Sequence, residues 1–261
     1  MSMSIYAHQR SFWVSLFATG ALFFILLLPS SAVSGNFRVS PSIIELDRAS
    51  KSGVVNVIND DTEPLSLQIK LFEWSQDSEG ADKYIESTDL VYFPRIMTVE
   101  AGKERILRVG IKAPAVERER TYRVFIEEIP QPRKVDSGNA AIVAVAIRFG
   151  VPIFVKPVKE DIRGEIAKME LTDGKLNIAL SNTGNAHFII KSIHIKGTDE
   201  QGLEVFSGDI SGWYLLSGIT RVYLTDLTDK CAMTSMINVE VKTSTAILAG
   251  NIDVKKEMCH P

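Results

Sequence analysis

Leu65-Ser66-Leu67-Gln68-Ile69-Lys70-Leu71-Phe72 places an apolar side chain at every second position and mostly polar ones between. A period of two marks a strand with one buried face and one wet face, because successive side chains leave a strand on opposite sides. On either side of this segment, short apolar runs recur at 37–46, 53–58, 90–93, 96–100, 104–111, 121–129 and 140–155, and apolar residues at helical spacing are nearly absent. Asn59-Asp60-Asp61, Ser78-Glu79-Gly80 and Ala101-Gly102 separate the runs with turn-forming residues. Eight strands in about 120 residues predict a sandwich of two packed sheets.

The rhythm breaks at Lys156-Pro157-Val158-Lys159, where Pro157 suits a bend between two bodies better than the middle of a sheet. It then resumes at 164–171, 175–181, 187–196, 203–207, 213–216, 220–225 and 236–242, with turns at Thr172-Asp173-Gly174 and Asn182-Thr183-Gly184-Asn185. The chain is therefore read as all-β, with one sandwich domain over 35–156 and a second, smaller one over 157–261.

Ahead of both lies a secretory leader. Residues 1–10 are positive and carry no acid, 12–28 form an apolar run, and Pro29-Ser30-Ser31 break it before the small residues of Ala32-Val33-Ser34. Cleavage is expected after Ser34, which sends the mature chain to the periplasm. The rival reading, a single-span anchor, needs a longer apolar run and a flanking basic stop signal. In such an oxidising compartment Cys231 and Cys259, the only cysteines, are expected to pair.

Composition excludes several classes of function. A net charge of −3 with acids and bases interleaved offers no footprint for nucleic acid. No G-x-S-x-G elbow, glycine-rich phosphate loop or H-E-x-x-H is present, so neither catalysis on a small-molecule substrate nor a cofactor is expected. His187 and His194 are seven apart on a predicted strand and so point to opposite faces, while two terminal cysteines and His260 are too few for a tetrahedral metal set. Glu127 and Glu128 are adjacent on a strand and cannot flank one glycosidic bond. The pattern is that of a protein binder.

Three segments carry a family resemblance: Val39-Ser40-Pro41 through Val54-Val55-Asn56-Val57-Ile58-Asn59-Asp60, then Tyr122-Arg123-Val124-Phe125-Ile126-Glu127-Glu128-Ile129-Pro130, then Val145-Ala146-Ile147-Arg148-Phe149-Gly150-Val151-Pro152-Ile153-Phe154-Val155-Lys156-Pro157. With weaker echoes at Ala101-Gly102-Lys103 and Ser181-Asn182-Thr183-Gly184-Asn185, the chain resembles the periplasmic chaperones of the chaperone-usher pilus pathway. The resemblance implies two immunoglobulin-like sandwiches in a boomerang arrangement. It further implies pilus subunits as clients, held by donor-strand complementation and passed to an outer-membrane usher, and it leaves open whether the free protein caps its sticky edge in a dimer. A secreted adhesin or pilus subunit is the alternative.

The family holds a subunit's terminal carboxylate with an Arg early in the first strand and a Lys near the end of domain one. Here Ile43 or Ser42 and Pro152 occupy those places, as in a divergent, archaic-type branch. Arg123 and Arg148 are the candidate substitutes, with Lys156 and Arg38 behind them. Residues 140–147 are apolar on both faces and follow a polar, proline-bearing loop, so they are expected to be the strand lent to the client, with Val143, Val145 and Ile147 entering its groove.

Overall fold

The computed structural model describes residues 36–77, 79–112, 116–130 and 145–259. Its first sandwich is built from β1 (Phe37–Ser40), β2 (Ile44–Leu46), β3 (Ser52–Asn59), β4 (Leu65–Gln76), β5 (Asp82–Glu86), β6 (Leu90–Phe93), β7 (Ile96–Val99), β8 (Glu104–Ile111), β9 (Arg120–Glu128) and β10 (Arg148–Val155). One sheet runs β1-β3-β8-β6; the other runs β2-β10-β9-β4-β5, with β7 also on β4. Leu67, Ile69, Val55, Val57, Leu107, Val124, Ile126 and Ile153 fill the space between them.

The second sandwich follows with β11 (Gly164–Thr172), β12 (Lys175–Asn182), β13 (Phe188–Thr198), β14 (Glu204–Ser211), β15 (Tyr214–Leu215), β16 (Thr220–Asp226), α1 (Thr228–Cys231), β17 (Met236–Thr243) and β18 (Ile247–Asp253). Its sheets are β11-β12-β16 and β14-β13-β17-β18, with β15 on β13, over a separate core that includes Leu176, Ile178, Ile193 and Val241. Asp173-Gly174 makes the tight β11–β12 turn, both residues at positive φ (52° and 71°) as a two-residue hairpin of this hand requires. Among the described residues no helix is long and apolar enough to cross a membrane.

Two strand expectations need correction, and three elements went unread. The run 37–46 is not one strand: β1 pairs antiparallel with β3 in one sheet, and β2 pairs parallel with β10 in the other. The chain changes sheets at Pro41, which has no N–H to give a ladder. Within the run 140–155, the described residues form a strand from Arg148 onward and are irregular at 145–147, while 140–144 lie outside the described residues. β5, β18 and α1 carry too little apolar periodicity to have been read.

Burial along β4 shows how the two sandwiches meet. Leu65, Leu67, Ile69 and Leu71 are buried as the alternation demands, but Trp74 and Gln76, on the opposite face, are buried too. In β10 both faces are buried from Val151 to Val155. The outer face of this sheet is wet at one end and covered at the other, where Leu216 of the second sandwich packs on Trp74 and Phe154.

Tyr122 lies inside the first core and its hydroxyl meets Asp89 Oδ2 at 3.1 Å. Burial, chiefly, pushes its pKa from 10.0 to about 12. The folded state thus retains a proton that the unfolded chain releases at 10, so stability holds up to pH 10 and falls as pH rises toward 12. Urea midpoints measured between pH 8 and 11.5 are expected to drop along this limb, and Tyr122→Phe is expected to make the drop shallower; an unchanged slope would refute the assignment.

Candidate functional site: an open sheet edge and an arginine cage

β9 pairs with β10 along its whole length, from Arg148 to Val155, but β2 pairs with it only at Ile153, Phe154 and Val155. Among the described residues the other edge of β10 is therefore bare from Arg148 to Pro152. The edge is apolar: Phe149 is 39% exposed and its ring lies 6.1 Å from that of Phe37, on the edge strand of the facing sheet. A bare row of backbone donors and acceptors beside apolar side chains is a template for another strand.

Just upstream, Ile147 still follows β9. Its carbonyl accepts from Glu128 N at 2.9 Å and its N–H donates to Glu128 Oε2 at 3.3 Å. Of the three residues read as entering a client, Val145 is 57% exposed, Ile147 is half-buried against the protein's own first core, and Val143 lies outside the described residues.

Each candidate cation already has an acidic partner. Arg38 pairs with Asp60 and Lys156 with Glu45. Arg148 holds Glu127 at 2.8 Å and lies over the Phe125 ring at 3.7 Å, while Lys70 takes the other oxygen of Glu127 at 2.9 Å. Arg123 and Arg148 share the outer face of the sheet, but Arg148 is opposite Glu127, four residues along β9 from Arg123. They do not form one two-cation clamp: Phe125 lies between them.

Arg123 sits in a cage. It is only 7% exposed, and its guanidinium carbon is 4.0 Å from the Trp74 ring, 5.8 Å from Tyr84 and 5.6 Å from Trp213 of the second sandwich. Nη1 donates to Tyr84 Oη at 2.8 Å, and Asp82 Oδ2 lies 3.6 Å away. Among the described residues, Nε is buried with no hydrogen-bond partner, as is Nε1 of Trp74. Burial raises the pKa of both Tyr84 and Tyr214, so the rim hydroxyls stay protonated.

The cage stands where the two sandwiches are fastened together. Gln76 donates to the Tyr214 carbonyl at 2.9 Å and accepts from Leu216 N at 3.0 Å. Glu119, its side chain 1% exposed, accepts from His187 N at 2.9 Å and lies 2.8 Å from His187 Nδ1, and the imidazole stacks on Phe154 at 3.6 Å. His194 instead faces outward to Asp209. Sequence reasoning missed Trp74, Gln76, Asp82, Tyr84, Glu119 and Trp213. The available signal was Trp74, a large apolar residue at a wet-phase position of an alternating strand.

In the second sandwich, Cys231 and Cys259 form a disulfide with Cα atoms 5.5 Å apart. Among the described residues no cluster of His, Cys, Asp and Glu could hold a metal ion.

Comparison with known proteins agrees with this architecture. By structure the chain is similar to the CsuC–CsuE chaperone–tip subunit pre-assembly complex from archaic chaperone-usher Csu pili of Acinetobacter baumannii, with TM-score 0.58, 18% identity and coverage of 82% of this chain and 98% of that one. It is similar also to the Salmonella enterica SafA pilin–SafB chaperone complex, with TM-score 0.54, 13% identity and coverage of 86% and 100%. The E. coli chaperone DraB gives TM-score 0.52 and 13% identity, with coverage of 87% and 100%. A search of curated proteins by sequence gives no match. Residues 36–160 match the family model of the pili and flagellar-assembly chaperones, PapD N-terminal domain. Residues 36–160 are thereby placed in the PapD N-terminal domain family, and a second β-sandwich follows that domain in the chain.

Proposed function

We propose that this protein is a periplasmic chaperone that binds pilus subunits by lending them a strand and hands them to an outer-membrane usher. The observation that carries this is the apolar edge of β10 from Arg148 to Pro152, bare among the described residues and extended upstream by exposed Val145. Main-chain pairing along such an edge gives general affinity, and side chains entering pockets of the client set the register. In this reading Val143, Val145 and Ile147 are the inserting residues, with Ile147 leaving its own core on binding. The free protein covers the same edge with a second copy. The function is binding, with no small-molecule substrate, nucleic acid or cofactor, and the leader of residues 1–34 is removed on export.

Arg123 is the better placed of the two arginines to receive a client's terminal carboxylate, because it is pre-stacked between aromatic rings and keeps an unused donor. Arg148 is already neutralised by Glu127. Arg123→Ala is expected to lower subunit recovery about tenfold and Arg148→Ala by less than threefold, order-of-magnitude figures for losing a charge-assisted pair; equal losses would defeat the ranking. The function as a whole is tested by coexpression with small secreted proteins encoded nearby. A chaperone returns from periplasm with one such protein in roughly equal amount, whereas an adhesin or subunit returns alone or in a polymer.

A further inference from the structure

We propose that Asp82 is an internal stand-in for an incoming carboxylate at Arg123, so that ligand binding here is an exchange of carboxylates that also unfastens a bond between the two sandwiches. The proposal takes its biological ligand, a client's free carboxylate, from the anchor reading above and rests on it.

The geometry of the pair carries the idea. A structural Arg–Asp pair with a buried guanidinium is expected to form short, parallel hydrogen bonds, since a buried cation without them is unfavourable. Here the two groups approach only to 3.6 Å. The contact runs instead through Tyr84, whose hydroxyl accepts from Arg123 Nη1 at 2.8 Å and donates to Asp82 Oδ2 at 3.2 Å. Asp82 spends its remaining capacity elsewhere, taking Gln76 Nε2 at 3.1 Å on Oδ1 and Trp213 Nε1 at 3.2 Å on Oδ2. Arg123 is left with a buried Nε that has no partner among the described residues.

A guanidinium has five N–H donors in a planar fork matched to a carboxylate. The stacking on Trp74 fixes that plane in advance. A carboxylate placed directly on the fork would gain the paired bonds that Asp82 does not make. Entry is from the side of Tyr84 and Trp213, both more than a third exposed, and requires Asp82 to swing away. Its departure frees the Trp213 indole, which is a contact from the second sandwich to the first. Ligand at Arg123 is thereby coupled to the fastening of the sandwiches.

The site carries its own reporter. Of three tryptophans, Trp13 lies in the leader, and Trp74 and Trp213 flank Arg123. The test is a titration of tryptophan emission with acetate at constant ionic strength, using protein purified from periplasm. Acetamide and chloride serve as uncharged and non-carboxylate controls. Asp82→Asn is expected to bind acetate at least tenfold more tightly than the parent, with no response to acetamide, and the added Arg123→Gln is expected to abolish the response. Equal titrations of parent and Asp82→Asn would overturn the proposal. So would an equal response of Asp82→Asn to acetamide, which decides the matter even where the double variant does not fold. If Asp82→Asn gains acetate affinity while Arg123→Ala leaves subunit capture intact, the exchange site stands and the anchor reading fails. If capture falls but acetate affinity is unchanged, the anchor stands and the exchange is refuted.

Discussion

Placing aspartate at positions 143 and 145 together is expected to cut recovery of client subunit at least tenfold while leaving the chaperone folded. Val145 is 57% exposed in the single chain, so a charge there leaves the chain's own packing intact. In a complex built by strand addition the same position is enclosed in an apolar groove. Each valine then forfeits roughly 1.5 to 3 kcal/mol of burial, and a carboxylate enclosed without a partner adds several more. A tenfold loss needs only about 1.4 kcal/mol, so the expectation is a conservative one. Ile147→Asp provides the contrast: that side chain rests on the first core, and the variant should lose stability as well as capture. The readouts are the subunit-to-chaperone ratio after pull-down and a thermal melt of each free variant. Undiminished capture by a folded 143/145 variant would remove this segment as the lent strand.

What could be read from sequence was whatever follows from period and turn chemistry. The β4 alternation, the Asp173-Gly174 hairpin and the resumption of strands after Pro157 are local properties, and each is found where the residues put it. Asn59 and Asn182 were legible only as turn residues. The structure buries both, each donating to two backbone carbonyls: Asn59 to those of Glu63 and Val99, Asn182 to those of Ala186 and Leu215. One partner of each is four residues on, but the other is 40 residues from Asn59 and 33 from Asn182, and no local pattern encodes that second bond. The sheet switch between β1 and β2 was hidden for a related reason. An apolar run reads the same whether its two halves face one core from one sheet or from two.

The site was legible in part. Apolar character on both faces marked the segment leading into β10, because a residue that is apolar on the outer face needs a second cover. Covers of two kinds exist, however, and the sequence does not separate them. Phe154 is covered by the second sandwich, through His187 and Tyr214, whereas the Phe149 end is left bare. Arg123 was singled out as a cation on a terminal strand. Its cage was invisible, since Trp74, Tyr84 and Trp213 come from β4, β5 and the loop before β15, and only packing of the two sandwiches brings the last of these to the others.

Removing the disulfide with Cys231→Ala and Cys259→Ala is expected to be among the most destabilising changes to the second sandwich. Cys231 ends α1 and Cys259 follows the 3-10 turn Lys256–Met258; both are buried in the second core. The tail they fasten closes over the β11–β12 hairpin, where Gly174 N donates to the Met258 carbonyl at 2.8 Å and Leu227 N to the Gly174 carbonyl at 2.8 Å. The cross-link spans 28 residues. For a loop of that length, chain-entropy reasoning gives about 3 to 4 kcal/mol, stabilisation that acts chiefly by restricting the unfolded chain. In a domain of this size that is on the order of 15 °C in melting temperature. The loss should be confined to the second sandwich, so calorimetry of the double variant is expected to resolve an early transition that the parent lacks. The bare edge of β10 belongs to the first sandwich, and subunit capture should therefore survive below the early transition and fail above it. Two free thiols in unreduced periplasmic protein, found by mass spectrometry of its peptides, or a single unshifted transition, would show that this tail is held by its hydrogen bonds and apolar contacts alone.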